Sequence, residues 1–108
     1  MIYELRIYEA APGRMADLLK RFETVTVPIW KRHGIETAGF WTTLISPSNH
    51  RLYYFLKWES LADREAKFPK FQADPEWLEK RAESERNGPL TARVSNEILV
   101  PTAFSSVK

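Results

Sequence analysis

Glu4, Arg6 and Tyr8 alternate along one side of a predicted first strand, and their types and spacing suit binding chemistry best. An arginine beside a phenol can hold an acidic or oxygenated ligand through charge-assisted hydrogen bonds. The same set could instead be a structural ion-pair network, because a buried charge without a partner is strongly destabilising. His33, one residue before Gly34, has the chemistry of a general base or ligand at the mouth of a cleft. An imidazole there also suits a helix C-terminus, where the dipole favours positive charge. His50 lies beside a turn with Asn49 and Arg51 and reads as solvated. Trp30, Trp41, Tyr54 and Trp58 could line a pocket for a flat ligand, although aromatics on strands more often pack a core. The ligand-binding candidates are therefore Arg6, Tyr8, His33, Trp41 and Tyr54, and His33 is the one catalytic candidate.

Other chemistries find little footing. The chain has no cysteine, so disulfides and thiolate catalysis are excluded. Neither histidine has a metal-binding partner at useful spacing, and no metal or cofactor is expected. The four glycines are isolated, so there is no phosphate loop, and no serine sits in a Gly-x-Ser-x-Gly turn. Sixteen Lys and Arg against fourteen Asp and Glu are interleaved, as in Glu79–Arg86, which argues against a nucleic-acid surface. No apolar run approaches the ~20 residues of a membrane span, and nothing resembles a signal peptide, so a cytoplasmic protein is expected.

The elements that must position these residues emerge from hydrophobic period. At 108 residues one domain is expected. Residues 2–9 alternate as a strand, with Tyr3, Leu5 and Ile7 opposite Ile2, Glu4, Arg6 and Tyr8. Met15, Leu18, Leu19, Phe22, Val25 and Ile29 then form a helical stripe, with a kink or restart expected at Pro28 and a stop at Gly34. Residues 35–45 and 51–58 read as a hairpin around Ser46-Pro47-Ser48-Asn49. Ser60 with Asp63 resembles a capping box, and Pro69 is expected to interrupt the helix it opens. Asp74-Pro75-Glu76 starts a further helix running to about Arg86, and residues 90–100 form a fourth strand. Phe104 is an anchor candidate in the polar tail. The order β-α-β-β-α-β predicts an α+β, ferredoxin-like fold: a four-stranded antiparallel sheet with helices on one face.

The hairpin strands are apolar on both faces. Ala38, Phe40, Thr42 and Leu44 oppose Gly39, Trp41, Thr43 and Ile45, while Leu52, Tyr54, Leu56 and Trp58 oppose Tyr53 and Phe55. Helices cover one face, and the other would exceed the few hundred Å² of apolar patch that monomers tolerate. At ~25 cal/mol per Å², covering ~600 Å² contributes about 15 kcal/mol before association costs. A homodimer through the sheet is the expected cover, and Glu4, Arg6 and Tyr8 are assigned to that side. The alternative is that the C-terminal tail folds over it.

Arg32-His33-Gly34, Gly39-Phe40-Trp41-Thr42-Thr43, Pro47, Asn49, the run Trp58–Glu65 and Asp74-Pro75-Glu76-Trp77 together resemble the NIPSNAP family, from Tyr3 to Pro101. The resemblance, to a short bacterial-type member, implies a dimeric α/β barrel of undefined biochemical role. It brings no catalytic residue to transfer. Related barrel families include cofactor-free monooxygenases acting on aromatic or quinone-like substrates, an analogy of fold alone. The expected function is small-molecule binding in a sheet/helix cleft; the alternatives are such a monooxygenase and a purely structural interaction module. Replacing Trp41 with Glu should give monomers or aggregates by size-exclusion chromatography, whereas an unchanged dimer would place the interface elsewhere.

Overall fold

The computed structural model describes residues 1–108. Its elements are β1 (Ile2–Ala10), α1 (Met15–Arg21), a wide helical turn (Phe22–Thr26), α2 (Val27–Arg32), β2 (Glu36–Thr42), β3 (Arg51–Trp58), α3 (Leu61–Gln72), α4 (Pro75–Ser84) and β4 (Thr91–Leu99). The strands form one antiparallel sheet in the order β2-β3-β1-β4. This is the α+β, ferredoxin-like arrangement that the element order predicts.

β3 shows why the sheet has a covered side. Leu52, Tyr54, Leu56 and Trp58 are all buried, while the residues between them are half-exposed. Leu18, Phe22, Ile29 and Trp30 from the first helical stretch, with Phe68 and Phe71 from α3, complete the core on that side. Burial of each such side chain contributes about 2 kcal/mol.

Pro28 does not break the helix. The chain widens one turn upstream, where the Val27 amide donates to the Phe22 carbonyl five residues back. That insertion shifts the phase of α2, so that Ile29 and Trp30 both turn inward. Leu19, placed on the expected stripe, is instead exposed. The expected break at Pro69 does not occur either: α3 continues to Gln72, and the Ala73 amide still reaches the Pro69 carbonyl at 3.1 Å. The amide that proline lacks would have served Glu65, on the exposed side, where water can replace it. The helices divide at Ala73–Asp74.

Two boundaries and one facing also differ from expectation. β2 stops at Thr42, and Leu44 and Ile45 are 94% and 93% exposed in the hairpin loop. A bulge between Thr37 and Phe40 puts both of these on the helix side, opposite Leu56 and Tyr54, and so removes Ala38 from the face of Phe40. Gly39 occupies the bulge at φ +106°, with the Trp41 indole packed over it. Phe104 is no anchor, being 91% exposed. The tail is tied instead by the Tyr3 hydroxyl, which donates to the Lys108 carbonyl at 3.0 Å. It runs along the edge of the helix-free sheet face and leaves Trp41 52% exposed.

A methyl group added at Gly39 would clash with Cη2 of the Trp41 ring and would force a left-handed residue on the strand. Gly39→Ala should therefore cost about 2 kcal/mol by urea denaturation, most of it from the backbone. A Trp41→Ala background should relieve only the smaller, steric part, and full rescue there would overturn this division.

Candidate functional site

Glu4, Arg6 and Tyr8 lie on the covered side of the sheet. The assignment of this set to the dimer side is corrected by register: Arg6 pairs with Tyr54 and with Asn96, and its guanidinium lies 5.1 Å from the Phe68 ring of α3. Strand alternation puts the three residues on one side, and α3 covers that side because β3 presents its largest side chains there. The neighbours that β4 offers to this set are Asn96, Val94 and Ile98.

Glu4 is fully buried and accepts five hydrogen bonds. Trp58 Nε1 at 3.1 Å and Arg64 Nε at 2.8 Å reach Oε1, while Arg6 Nη1, Asn96 Nδ2 and Arg64 Nη2 reach Oε2 at 2.9, 2.9 and 3.3 Å. Burial alone would push its carboxyl up, but the bonds from Arg64 and Asn96 and the charge of Arg6 hold it down at about 2. Arg6 also donates through Nε to the Tyr54 hydroxyl at 2.7 Å and through Nη2 to the Tyr8 hydroxyl at 3.2 Å. Three of the five guanidinium N–H groups are thereby used, which leaves two. Burial first, and then the neighbouring Tyr8 oxygen, push the Tyr54 phenol well above its ordinary range.

Beside this network is a cleft of about 280 Å³ between sheet and helices. The sheet supplies Arg6, Tyr8, Thr91 and Val94; α1 supplies Arg21; α3 supplies Phe68, Phe71 and Gln72; α4 supplies Trp77, Leu78 and Arg81, with Glu85 just beyond its end. Arg21 is buried, and its Nη1 donates to Ser84 Oγ at 3.2 Å and to Glu85 Oε2 at 3.1 Å. Its guanidinium stands 5.5 Å from the Trp77 ring centroid. Arg81 Nε approaches the same Glu85 oxygen at 3.6 Å.

The candidates suggested by sequence divide among several places. Arg6 and Tyr8 face the cleft, and Tyr54 is buried behind them, holding Arg6. His33 closes α2, with Nε2 2.7 Å from Asp74 Oδ2, while Arg32 Nη1 donates to that oxygen at 2.9 Å. The other Asp74 oxygen caps α4 through the Glu76 and Trp77 amides. Bonds from Arg32 and His33 hold the Asp74 carboxyl well below the usual range, and the cluster pins two helix ends together. Trp41 stands on the opposite sheet face, edge-on to Phe55 at 5.9 Å, beside an apolar cavity of about 430 Å³. Trp30 and Trp58 are core residues, and His50 is exposed. No group of three or more His, Asp and Glu side chains could hold a metal ion.

Sequence reasoning missed Arg21, Trp77, Arg81 and Glu85 as site residues. The signal for Arg21 was present: it lies three residues after Leu18 and four before Val25, a charge set on an apolar stripe. Trp77, Arg81 and Glu85 recur at four-residue spacing on one side of α4.

With this geometry in view, the chain belongs to the NIPSNAP family, whose model matches residues 3–106. A NIPSNAP family protein of unknown function from Agrobacterium tumefaciens is 30% identical, with 100% of this chain and 94% of that chain covered and a TM-score of 0.86. An uncharacterized NIPSNAP-like domain protein from Burkholderia xenovorans is also 30% identical, with coverage of 96% and 87% and a TM-score of 0.84. A proposed antibiotic biosynthesis monooxygenase from Chloroflexus aurantiacus, 14% identical over the whole of both chains at a TM-score of 0.57, shares the fold alone. None of the curated proteins matches the chain.

The Glu4 network sets an acid limit. The carboxyl titrates at about 2 in the fold against an ordinary 4.5, so its contribution is complete above about pH 4.5 and is lost as pH falls towards 2. The difference is on the order of 3 kcal/mol. Glu4→Gln should lower stability at pH 7 by about that much in urea denaturation, and the gap from wild type should close as pH falls from 4.5 towards 2. A gap that stays constant with pH would show that the carboxylate charge is not its source.

Proposed function

We propose that this NIPSNAP family protein is a cytoplasmic homodimer that binds a small oxygenated organic molecule in the cleft between sheet and helices. The observation that carries this reading is the cleft itself: about 280 Å³, walled by aromatic side chains, with Arg6 and Tyr8 turned into it from the sheet. Small-molecule sites set convergent polar groups beside aromatic surface, and here the polar and charged side chains make up half of the lining. Arg6 is fixed on three sides by Glu4, Tyr8 and Tyr54, so its two remaining N–H groups are pre-aimed at little entropic cost. The volume is about twice the ~150 Å³ that accommodates benzene.

The dimer is supported by the sheet face that carries no helix. Trp41, Leu5, Ile7, Tyr53 and Phe55 share it, and Trp41 is the most exposed of them. A patch of this kind on a free surface favours association.

Native mass spectrometry of freshly purified protein should show a dimer, and a monomer would overturn that part of the reading. In an NMR fragment screen, oxygenated aromatic fragments should move the Trp77 indole signal. Val94→Trp, which fills the cleft from a half-exposed position, should abolish the response and leave the melting temperature within a few degrees. A screen in which no fragment moves Trp77 would overturn the cleft reading.

A further inference from the structure

The cleft has an excess of positive charge that the protein itself does not balance. Three guanidinium groups, Arg6, Arg21 and Arg81, line it against one carboxylate, Glu85. Arg21 and Arg81 share a single Glu85 oxygen, so that end keeps one positive charge in excess. At the other end Arg6 is balanced by Glu4, because Arg64, which also bonds Glu4, has Glu65 as a further partner at 2.9 Å.

The donors at the Arg21 end are arranged for one particular shape. Arg21 spends Nη1 on Ser84 and Glu85, whereas Nε is buried without a hydrogen-bond partner and Nη2 makes no hydrogen bond within the chain. Nε and Nη2 form the side-on edge of the guanidinium, the edge that pairs two parallel N–H groups with the two oxygens of a carboxylate. Neither donor is satisfied by the chain, and a ligand oxygen would satisfy one. A phosphate would bring three oxygens to an end where one edge and Arg81 are on offer, whereas a carboxylate brings two.

Resting on the cleft reading above, we propose that the ligand is an aryl carboxylate. Its carboxylate meets Arg21 at Nη2, the unpartnered donor of that edge that is not sealed off, with support from Arg81. Its ring lies among Phe68, Phe71 and Trp77, and a hydroxyl or carbonyl at the far end meets Arg6 and Tyr8. The cleft volume sets the body at one or two rings.

The probes are 4-hydroxybenzoate and 4-hydroxybenzamide, alike in shape and different in charge, titrated while the Trp77 indole signal is followed by NMR. The benzoate should bind at least about tenfold more tightly than the benzamide. Arg81→Gln, at a half-exposed position that need not disturb the fold, should remove most of that preference by weakening benzoate binding. Arg21→Lys, which keeps the charge and loses the planar edge, should do the same, with its melting temperature measured alongside. Equal affinity for the two probes, with Trp77 moving in both titrations, would overturn the carboxylate assignment while leaving a small-molecule cleft in place. Tighter binding of phenyl phosphate than of the benzoate would also overturn it. If neither probe moves Trp77 the assignment fails, and the fragment screen separately decides whether the cleft binds anything.

Discussion

A single buried carboxylate organises the covered side of this molecule. Glu4 lies on a central strand with no access to water, a position that an isolated charge could not occupy. It is held there by donors from each direction: Trp58 on β3, Asn96 on β4, Arg64 on α3 and Arg6 two residues along its own strand. Those four partners join three strands and a helix at one point. They also fix Arg6, whose remaining bonds to Tyr8 and Tyr54 set the wall of the cleft. Removing one partner leaves the others as uncompensated buried groups, so the network behaves as a unit.

The cleft arises from how the helices meet this network. α3 sets Phe68 against Arg6 and Phe71 against Trp30, while α4 crosses from Asp74 and brings Trp77 to 4.9 Å from Phe71. Between α4, α1 and the outer strand the side chains do not interdigitate fully, and three arginines face the gap. Val94 and Ile98 of β4, on the same side, stay partly exposed. An apolar core filled by Leu and Phe would have no use for guanidinium groups at that place. Their presence marks the gap as polar by construction.

How much of this is legible in the residues depends on what a period can encode. The alternation of β3 and the grouping of Glu4, Arg6 and Tyr8 on one side come from a two-residue repeat, and both are observed. Which side the helices cover is not encoded that way, because Tyr53, Phe55 and Trp41 make the other side equally apolar; the repeat alone points the set to the dimer face, and it lies beneath α3. Asp74-Pro75-Glu76 marks the start of α4 through cap chemistry that is local in sequence. Pro69 misleads because its effect depends on which neighbour loses an amide, and Glu65 faces water. The widened turn before Pro28 and the bulge at Gly39 each add one residue to a repeat, and adding one residue changes every facing beyond it. Arg21 and Arg81 become site residues only through the meeting of α1 with α4, helices far apart in the chain.

The attachment of α4 has a consequence for the cleft it roofs. No residue of α4 is fully buried; its start is held by the Asp74 cluster, its end by Arg21 on Ser84 and Glu85, and its middle mainly by Trp77. The helix is thus a plank fixed by a hinge at one end and a polar latch at the other. Raising the latched end exposes little apolar surface, so it costs far less than opening the core would. Because Arg21 is buried, salt screens its pair with Glu85 far less than it screens the exposed pairs of the surface. Since the latch uses only Nη1 of Arg21, an occupant that takes the remaining donors adds to the latch and does not compete with it.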